Sequence, residues 1–82
     1  MKLDYGVYLF TSHTCADCKP AKRMLSAALG ESGFTELNWE AEPGTFRELG
    51  IDAVPATLVV DRGGRGTLYP GMPQKALVGL GP

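Results

Sequence analysis

The sequence contains two cysteines, Cys15 and Cys18, separated by two residues in the stretch SHTCADCKPAKRML. Two thiols at this spacing can bind a metal ion, form a structural disulfide, or alternate between dithiol and disulfide as working redox chemistry. The thiolate is the nucleophile in disulfide exchange, so the redox interpretation needs one cysteine that ionises near neutral pH. The start of a helix favours such an anion, because its first N–H groups are unpaired and its dipole is positive there.

A structural zinc site is one alternative, and it requires four ligands. The chain offers Cys15, Cys18 and His13, and Asp17 would complete the set only if all four ligands shared one turn. A structural disulfide is another alternative, but a bridge that closes so short a loop removes little chain entropy. The residues favour redox exchange. A module that binds zinc or bridges an iron–sulfur cluster remains open as an alternative, as does a redox-inert adaptor.

Length and charge limit the class of protein. A chain of 82 residues is expected to form one domain, spanning residues 1–82. A formal net charge of -1 argues against a nucleic-acid partner, which would require clustered cations. No stretch has membrane-spanning length, and the start, MKLDYGVYLF, lacks the features of a secretory signal peptide. We therefore expect a cytoplasmic monomer with no membrane partner, in a compartment where thiols are held reduced.

The hydrophobic pattern predicts the element order β-α-β-α-β-β-α. Strands are predicted at Val7–Phe10, Phe34–Trp39, Ala56–Val60 and Thr67–Tyr69, with Tyr8 and Trp39 in the core. Helices are predicted from about Cys15 to Gly30, over Pro43–Leu49 and over Met72–Leu80, the last with Ala76, Leu77 and Leu80 facing inward. A parallel, right-handed first βαβ unit would place the cysteines at the carboxyl end of the first strand. Sites in open α/β sheets lie at that end.

A second motif lies in the segment LGIDAVPATLVV, residues 49–60. Together with CADCK upstream and Gly71 in YPGM, this segment resembles the thioredoxin superfamily, and the resemblance covers nearly the whole chain. It implies a thioredoxin-like α/β domain with a four-stranded mixed sheet flanked by helices. It also implies that Cys15 is the nucleophile of a redox-active centre and that Cys18 is the resolving cysteine.

The same resemblance assigns the substrate site. Pro55 matches the cis-proline that shapes the substrate groove, Val54 matches the residue whose backbone pairs with an incoming peptide, and Gly71 matches a glycine that flanks the groove. The other predicted substrate-binding residues lie in the motif itself: Thr14, Ala16 and Asp17. The implied activity is that of a thiol–disulfide oxidoreductase that reduces protein disulfides. This electron transport is expected to need no prosthetic cofactor, because a reductase or a small thiol supplies the electrons.

Several positions depart from the family pattern. Ala16-Asp17 replaces both the Gly-Pro of thioredoxins and the Pro-Tyr of most glutaredoxins, and the Gly-Gly-x-Asp glutathione-binding segment is missing. Glutathione-dependent glutaredoxin activity is therefore the alternative within the enzyme class. Leu9 lies where thioredoxins carry a buried acid, which leaves water or Lys19 for proton transfer. Asp17 should disfavour a Cys15 thiolate by charge repulsion, so we predict a reductant rather than an oxidant.

The residues after the motif add a basic rim to the predicted first helix: Lys19, Lys22 and Arg23. Such charges usually form a solvated helix face, but these could steer an acidic partner at low salt. His13 is expected to be a solvated loop residue.

Overall fold

A four-stranded mixed sheet and three helices make up residues 3–80, the part of the chain that the computed structural model describes. The strands are β1 Gly6–Thr11, β2 Thr35–Asn38, β3 Ala56–Val60 and β4 Gly66–Pro70, and the helices are α1 Cys18–Leu29, α2 Pro43–Leu49 and α3 Gln74–Leu80. The sheet order is β2-β1-β3-β4, with β1 parallel to β2 and the other two neighbouring pairs antiparallel. The predicted fold class and element order are confirmed.

Alternation along the central strand β1 divides the core between two faces of the sheet, because successive side chains of a strand point to opposite sides. Leu9 packs with Ala21 and Leu25 of α1, and we call this side the α1 face. Phe10 packs on the other side with Phe46 of α2, and we call that side the α2 face. The Phe10 and Phe46 rings meet edge to face with centroids 5.0 Å apart. The buried apolar residues of the α1 face are aliphatic, whereas the α2 face buries a pair of aromatic rings among aliphatic residues.

The helix boundaries follow local sequence chemistry. Pro20 lies in the first turn of α1, where a missing N–H breaks no helical hydrogen bond, and Gly30 ends the helix by donating its N–H to the Ser26 carbonyl at 2.9 Å. The second helix, α2, has the predicted bounds, with Pro43 at its start and Gly50 after its end. No helix within residues 3–80 is long and apolar enough to cross a membrane.

Two predictions about the core are wrong. Trp39 is 40% exposed, because it follows the last residue of β2 and packs at the rim of the α2 face, with its ring centroid 5.5 Å from that of Phe46. Leu80 is 39% exposed, since α3 begins at Gln74 and is fully buried only at Ala76, one turn earlier. Tyr8 is partly buried against the α2 face and donates its hydroxyl hydrogen to the Asp4 carbonyl at 2.7 Å.

Candidate redox site

Cys15 and Cys18 form a disulfide, with their Cα atoms 5.4 Å apart. Cys15 lies in the turn between β1 and α1, and its N–H donates to the Ser12 carbonyl at 3.3 Å. Cys18 is the first residue of α1, and its N–H donates to the Cys15 carbonyl at 3.4 Å. Cys15 is partly exposed, whereas Cys18 is only 6% exposed. A molecule that approaches from solvent therefore reaches Cys15 first.

The helix begins three residues later than Cys15, so the prediction that Cys15 lies at or next to the helix start is wrong. Asp17 is the N-cap residue, and its side chain makes no capping hydrogen bond. The backbone of Asp17 is already helical, with φ -83° and ψ -8°, and a turn of the chain precedes the helix. The positive end of the α1 dipole is therefore closest to Cys18.

The cysteines lie at the edge of the sheet where β1 ends, as the sequence predicted. The parallel neighbour β2 ends at the same edge, while the antiparallel strand β3 begins there and β4 ends there. The residues paired at this edge are Thr11 with Asn38, Phe10 with Ala56, and Ala56 with Pro70. Segments that are distant in sequence therefore meet around the cysteine motif.

The residues that flank the start of β3 and the end of β4 contact each other at this edge. The Val54–Pro55 peptide bond is cis, and Pro55 is buried. Gly71 donates its N–H to the Pro55 carbonyl at 2.9 Å. Its φ of 83° lies in the left-handed region, which glycine adopts without the steric cost that other residues meet. The structure thus joins Pro55 to Gly71 and places Val54 beside them.

A cavity of about 410 Å³, lined mainly by polar and charged residues, borders the disulfide on the α1 face, and we call it the α1-side cavity. Glu36 of β2 is held in its wall by two contacts. Its carboxylate accepts a hydrogen bond from the Thr11 hydroxyl at 2.8 Å and lies 2.9 Å from the Lys22 ammonium. The residues that line the cavity are Thr11, Ser12, His13, Cys15, Cys18, Lys19, Lys22, Glu36 and Asn38.

The Lys22–Glu36 ion pair keeps both of its members charged near neutral pH. Burial alone would raise the pKa of Glu36, but the hydrogen bonds from Lys22 and Thr11 and the charge of Lys22 outweigh it and hold this pKa below its ordinary value. The hydrogen bond to Glu36 and its negative charge raise the pKa of Lys22. An anion and a cation in contact with each other therefore line the same cavity as the two cysteines.

A groove of about 250 Å³, lined mainly by apolar residues, lies on the other side of the motif, and we call it the α2-side groove. Its buried residues are Phe46 and Ile51, and its exposed rim includes Trp39, whose ring lies 5.9 Å from the Arg47 guanidinium carbon. Its full lining is Ser12, Trp39, Phe46, Ile51, Asp52, Ala53 and Val54. Ser12 lines both the groove and the cavity, so the two meet at the loop that carries Cys15.

A carboxylate from the loop after β2 contacts the cysteine loop. Glu40 accepts hydrogen bonds from the His13 backbone N–H at 3.1 and 3.3 Å, and the His13 ring nitrogen Nδ1 lies 4.0 Å from a Glu40 oxygen. This contact joins the segment before Cys15 to the segment that carries Trp39. The side chain of His13 is exposed, as expected for a solvated loop residue.

The sequence matches no protein-family model and no curated protein. Solved structures are similar to it: short-form thioredoxin f from spinach chloroplast matches with a TM-score of 0.76 and 19% identity, over 96% of this chain and 74% of that one. The C-terminal domain of DsbD from Neisseria meningitidis matches in its oxidised form with a TM-score of 0.70 and 18% identity, over 94% of this chain and 78% of that one. Its reduced form matches with a TM-score of 0.60 and 19% identity, over 82% and 68%.

The chain has the thioredoxin fold. Within that fold, the predicted site residues fall into two groups: those around the disulfide and those at the start of β3 and the end of β4. Thr14, Ala16 and Asp17 are exposed next to the disulfide, and the Thr14 hydroxyl lies 3.4 Å from that of Ser12. Val54 lines the groove, while Gly71 reaches the site through its hydrogen bond to Pro55. Within residues 3–80, no three His, Cys, Asp or Glu side chains are placed together to hold a metal ion.

Sequence reasoning missed two parts of the site in this thioredoxin fold. Glu36 received no role, although it alternates with Leu37 and pairs in register with Leu9, which places it on the α1 face. The strand alternation was available in the sequence, but the contact with Lys22 was not. The groove was missed because Phe46, Ile51 and Trp39 come from separate segments and look like ordinary core residues in sequence.

Proposed function

We propose that the protein is a thiol–disulfide oxidoreductase that reduces disulfides in other proteins. The observation that carries this proposal is the Cys15–Cys18 disulfide, which joins a partly exposed sulfur to a buried one at the sheet edge. An exposed nucleophile needs access to a substrate, and a buried partner is protected from competing reagents. This division of exposure fits an attacking thiol and a resolving thiol.

The reaction begins with the reduced protein. The Cys15 thiolate attacks one sulfur of the substrate disulfide, which forms a mixed disulfide and releases the first substrate thiolate. Cys18 then loses its proton and attacks the Cys15 sulfur. The second substrate thiolate leaves and takes up a proton from solvent. Two electrons have moved from the dithiol to the substrate, and the protein is left in the disulfide form seen in the structure.

The substrate segment lies across the motif and enters the α2-side groove. Thr14, Ala16 and Asp17 are exposed beside Cys15, and Val54 forms part of the groove wall. The groove reaches Ser12 in the loop that carries Cys15, so a substrate with an apolar side chain near its cysteine would bury that side chain there. Pro55, held by Gly71, supports the Val54 end of the groove.

The proposal also covers the oligomeric state, the compartment and the electron donor. We propose a monomer that acts as a single domain in a reducing compartment such as the cytoplasm, with electrons supplied by a reductase or by a small thiol. The missing glutathione-binding segment favours a protein reductase over glutathione as the donor.

Insulin-disulfide reduction tests the activity, run in parallel with thioredoxin reductase and with glutathione as the electron donor. We expect turnover with the reductase, loss of turnover in Cys15→Ser, and a trapped mixed disulfide in Cys18→Ser. Ser32→Ala is a matched control, because Ser32 lines neither the α1-side cavity nor the α2-side groove. The proposal would be contradicted if the wild-type protein failed to reduce insulin with thioredoxin reductase, with glutathione and with dithiothreitol. Stoichiometric zinc or iron in freshly purified protein would also contradict it.

A further inference from the structure

Cys18 must ionise in a buried position, whereas Cys15 is partly exposed. The Cys18 sulfur is buried, yet it must lose a proton to attack the mixed disulfide. Burial disfavours the thiolate, so charges near the sulfur decide how much of the thiolate forms. The α1-side cavity is lined by Cys18 together with two oppositely charged groups from different elements, Lys22 of α1 and Glu36 of β2.

The two charged groups contact each other, and other side chains also hold the carboxylate. Glu36 is fixed by the Thr11 hydroxyl as well as by Lys22, and the Asn38 amide donates to the same hydroxyl at 3.4 Å. The other ionisable groups that line the cavity are His13 and Lys19. The carboxylate is the single fixed anion among the residues that line the cavity, apart from the cysteines themselves.

We infer that the Lys22–Glu36 pair sets the rate of the resolving step, with the Lys22 charge favouring the Cys18 thiolate and the Glu36 charge opposing it. This inference rests on the proposed function, because it concerns the second of its two steps. Lys22 and Glu36 are positioning residues here, since they act on Cys18 through their charge. The proton that Cys18 loses passes to the water of the cavity.

A two-step disulfide reagent separates the resolving step from the first attack. Reduced protein, in excess, is mixed with dithiobis(nitrobenzoate) in a stopped-flow instrument. The Cys15 thiolate attacks the reagent and releases one yellow thionitrobenzoate. Cys18 then attacks the Cys15 sulfur and releases the second, in a phase whose rate does not depend on protein concentration. Cys18→Ser should show only the first release.

Charge-neutralising variants should move the second phase in opposite directions. Near neutral pH, Glu36→Gln should speed it and Lys22→Gln should slow it, each by about two- to threefold, because these partly exposed charges line the same cavity as Cys18. The pH midpoint of this phase should fall in the first variant and rise in the second. The double variant should return close to the wild-type rate. Glu42→Gln and Lys75→Gln make the same charge changes at positions that do not line the cavity, and they should leave the phase unchanged.

The outcomes separate this inference from the function itself. Both single variants break the same ion pair, so a purely structural role would shift both rates in the same direction. Shifts in one direction, or no shift in either variant, would overturn the inference while the activity stands. If the wild-type protein releases no second thionitrobenzoate, the resolving step does not exist and the proposed function fails along with the inference.

Discussion

The α1-side cavity and the α2-side groove, on opposite sides of the disulfide, are lined by different kinds of residue. Polar and charged residues line most of the α1-side cavity, and they include the Lys22–Glu36 ion pair. Apolar residues line most of the α2-side groove, with Phe46 and Ile51 buried in it and Trp39 at its rim. A charged cavity suits the control of proton loss, whereas an apolar groove suits the burial of a partner's side chain. The proposed function therefore assigns chemistry and recognition to opposite faces of the sheet.

The division arises from strand alternation. Thr11 follows Leu9 by two residues on β1, and Glu36 is in register with Leu9, so these polar side chains share the α1 face near the sheet edge. Phe10 points to the other face and packs on the ring of Phe46. A shift of one residue in the β1–β2 pairing would exchange the faces of the whole strand.

The largest expected effect tests whether the groove is part of the core. Phe46→Ala removes a ring that packs against both Phe10 and Trp39, so we expect a loss of about 3–5 kcal/mol in the free energy of unfolding. Urea denaturation measures it, with Phe46→Leu as the milder control. A loss below about 1 kcal/mol would show that the α2 face tolerates an open groove floor.

Leu25→Ala gives the matching measurement on the α1 face, where we expect the free energy of unfolding to fall by about 2–5 kcal/mol.

Trp39→Ala tests the groove as a recognition surface. The exposed ring can contact a partner, so we expect kcat/KM for insulin reduction to fall about five- to thirtyfold, while the reaction with dithiobis(nitrobenzoate) stays unchanged. Tyr5→Ala is the control, because Tyr5 is an exposed aromatic residue that does not line the groove. Equal losses with both reagents would place the effect of Trp39 on the cysteines instead.

A substitution at Thr57 tests whether a buried hydroxyl on the α1 face lowers the free energy of unfolding. Its fully buried hydroxyl has no hydrogen-bond partner within residues 3–80. Valine has nearly the same shape without the polar oxygen, so Thr57→Val should raise the free energy of unfolding by about 1 kcal/mol. Thermal and urea denaturation measure the change, and Thr45→Val is a comparison at a buried threonine of the α2 helix. A clear loss of stability in Thr57→Val would mean that the hydroxyl has a favourable interaction.

The smallest expected effect concerns the Lys22–Glu36 pair and acid. The pKa of Glu36 is lower in the folded protein than its ordinary value, so its stabilising contribution is present above that ordinary value and is lost as the pH falls through the lowered pKa. The side chains are 56% and 33% exposed, so solvent screening limits the contribution to a few tenths of a kcal/mol. Urea denaturation between about pH 6 and pH 3 should show a weaker acid dependence in Glu36→Gln. Equal acid dependence in both proteins would contradict this.

Much of the fold was predictable from local chemistry. Strand β3 and helix α2 have their predicted bounds, because β-branched runs and a Pro start with a Gly stop are local features. The other elements differ from their predicted bounds by one to three residues at one or both ends. Helix α1 begins at Cys18 because a turn of the chain, held by backbone hydrogen bonds from Ser12 onward, comes before it. Trp39 was misplaced because it follows the last residue of β2, and Leu80 because α3 is fully buried only at Ala76, and hydropathy records neither.

The order of residues determined the pair of thiols, the strand that precedes them and the alternation that separates polar from apolar side chains. These features depend on near neighbours in the chain, so they can be read without a structure. Only the tertiary structure decided that Glu36 lies beside Lys22, that Gly71 binds Pro55, and that Trp39, Phe46 and Ile51 form one groove. Those contacts join segments distant in sequence, and strand register and helix packing bring them together.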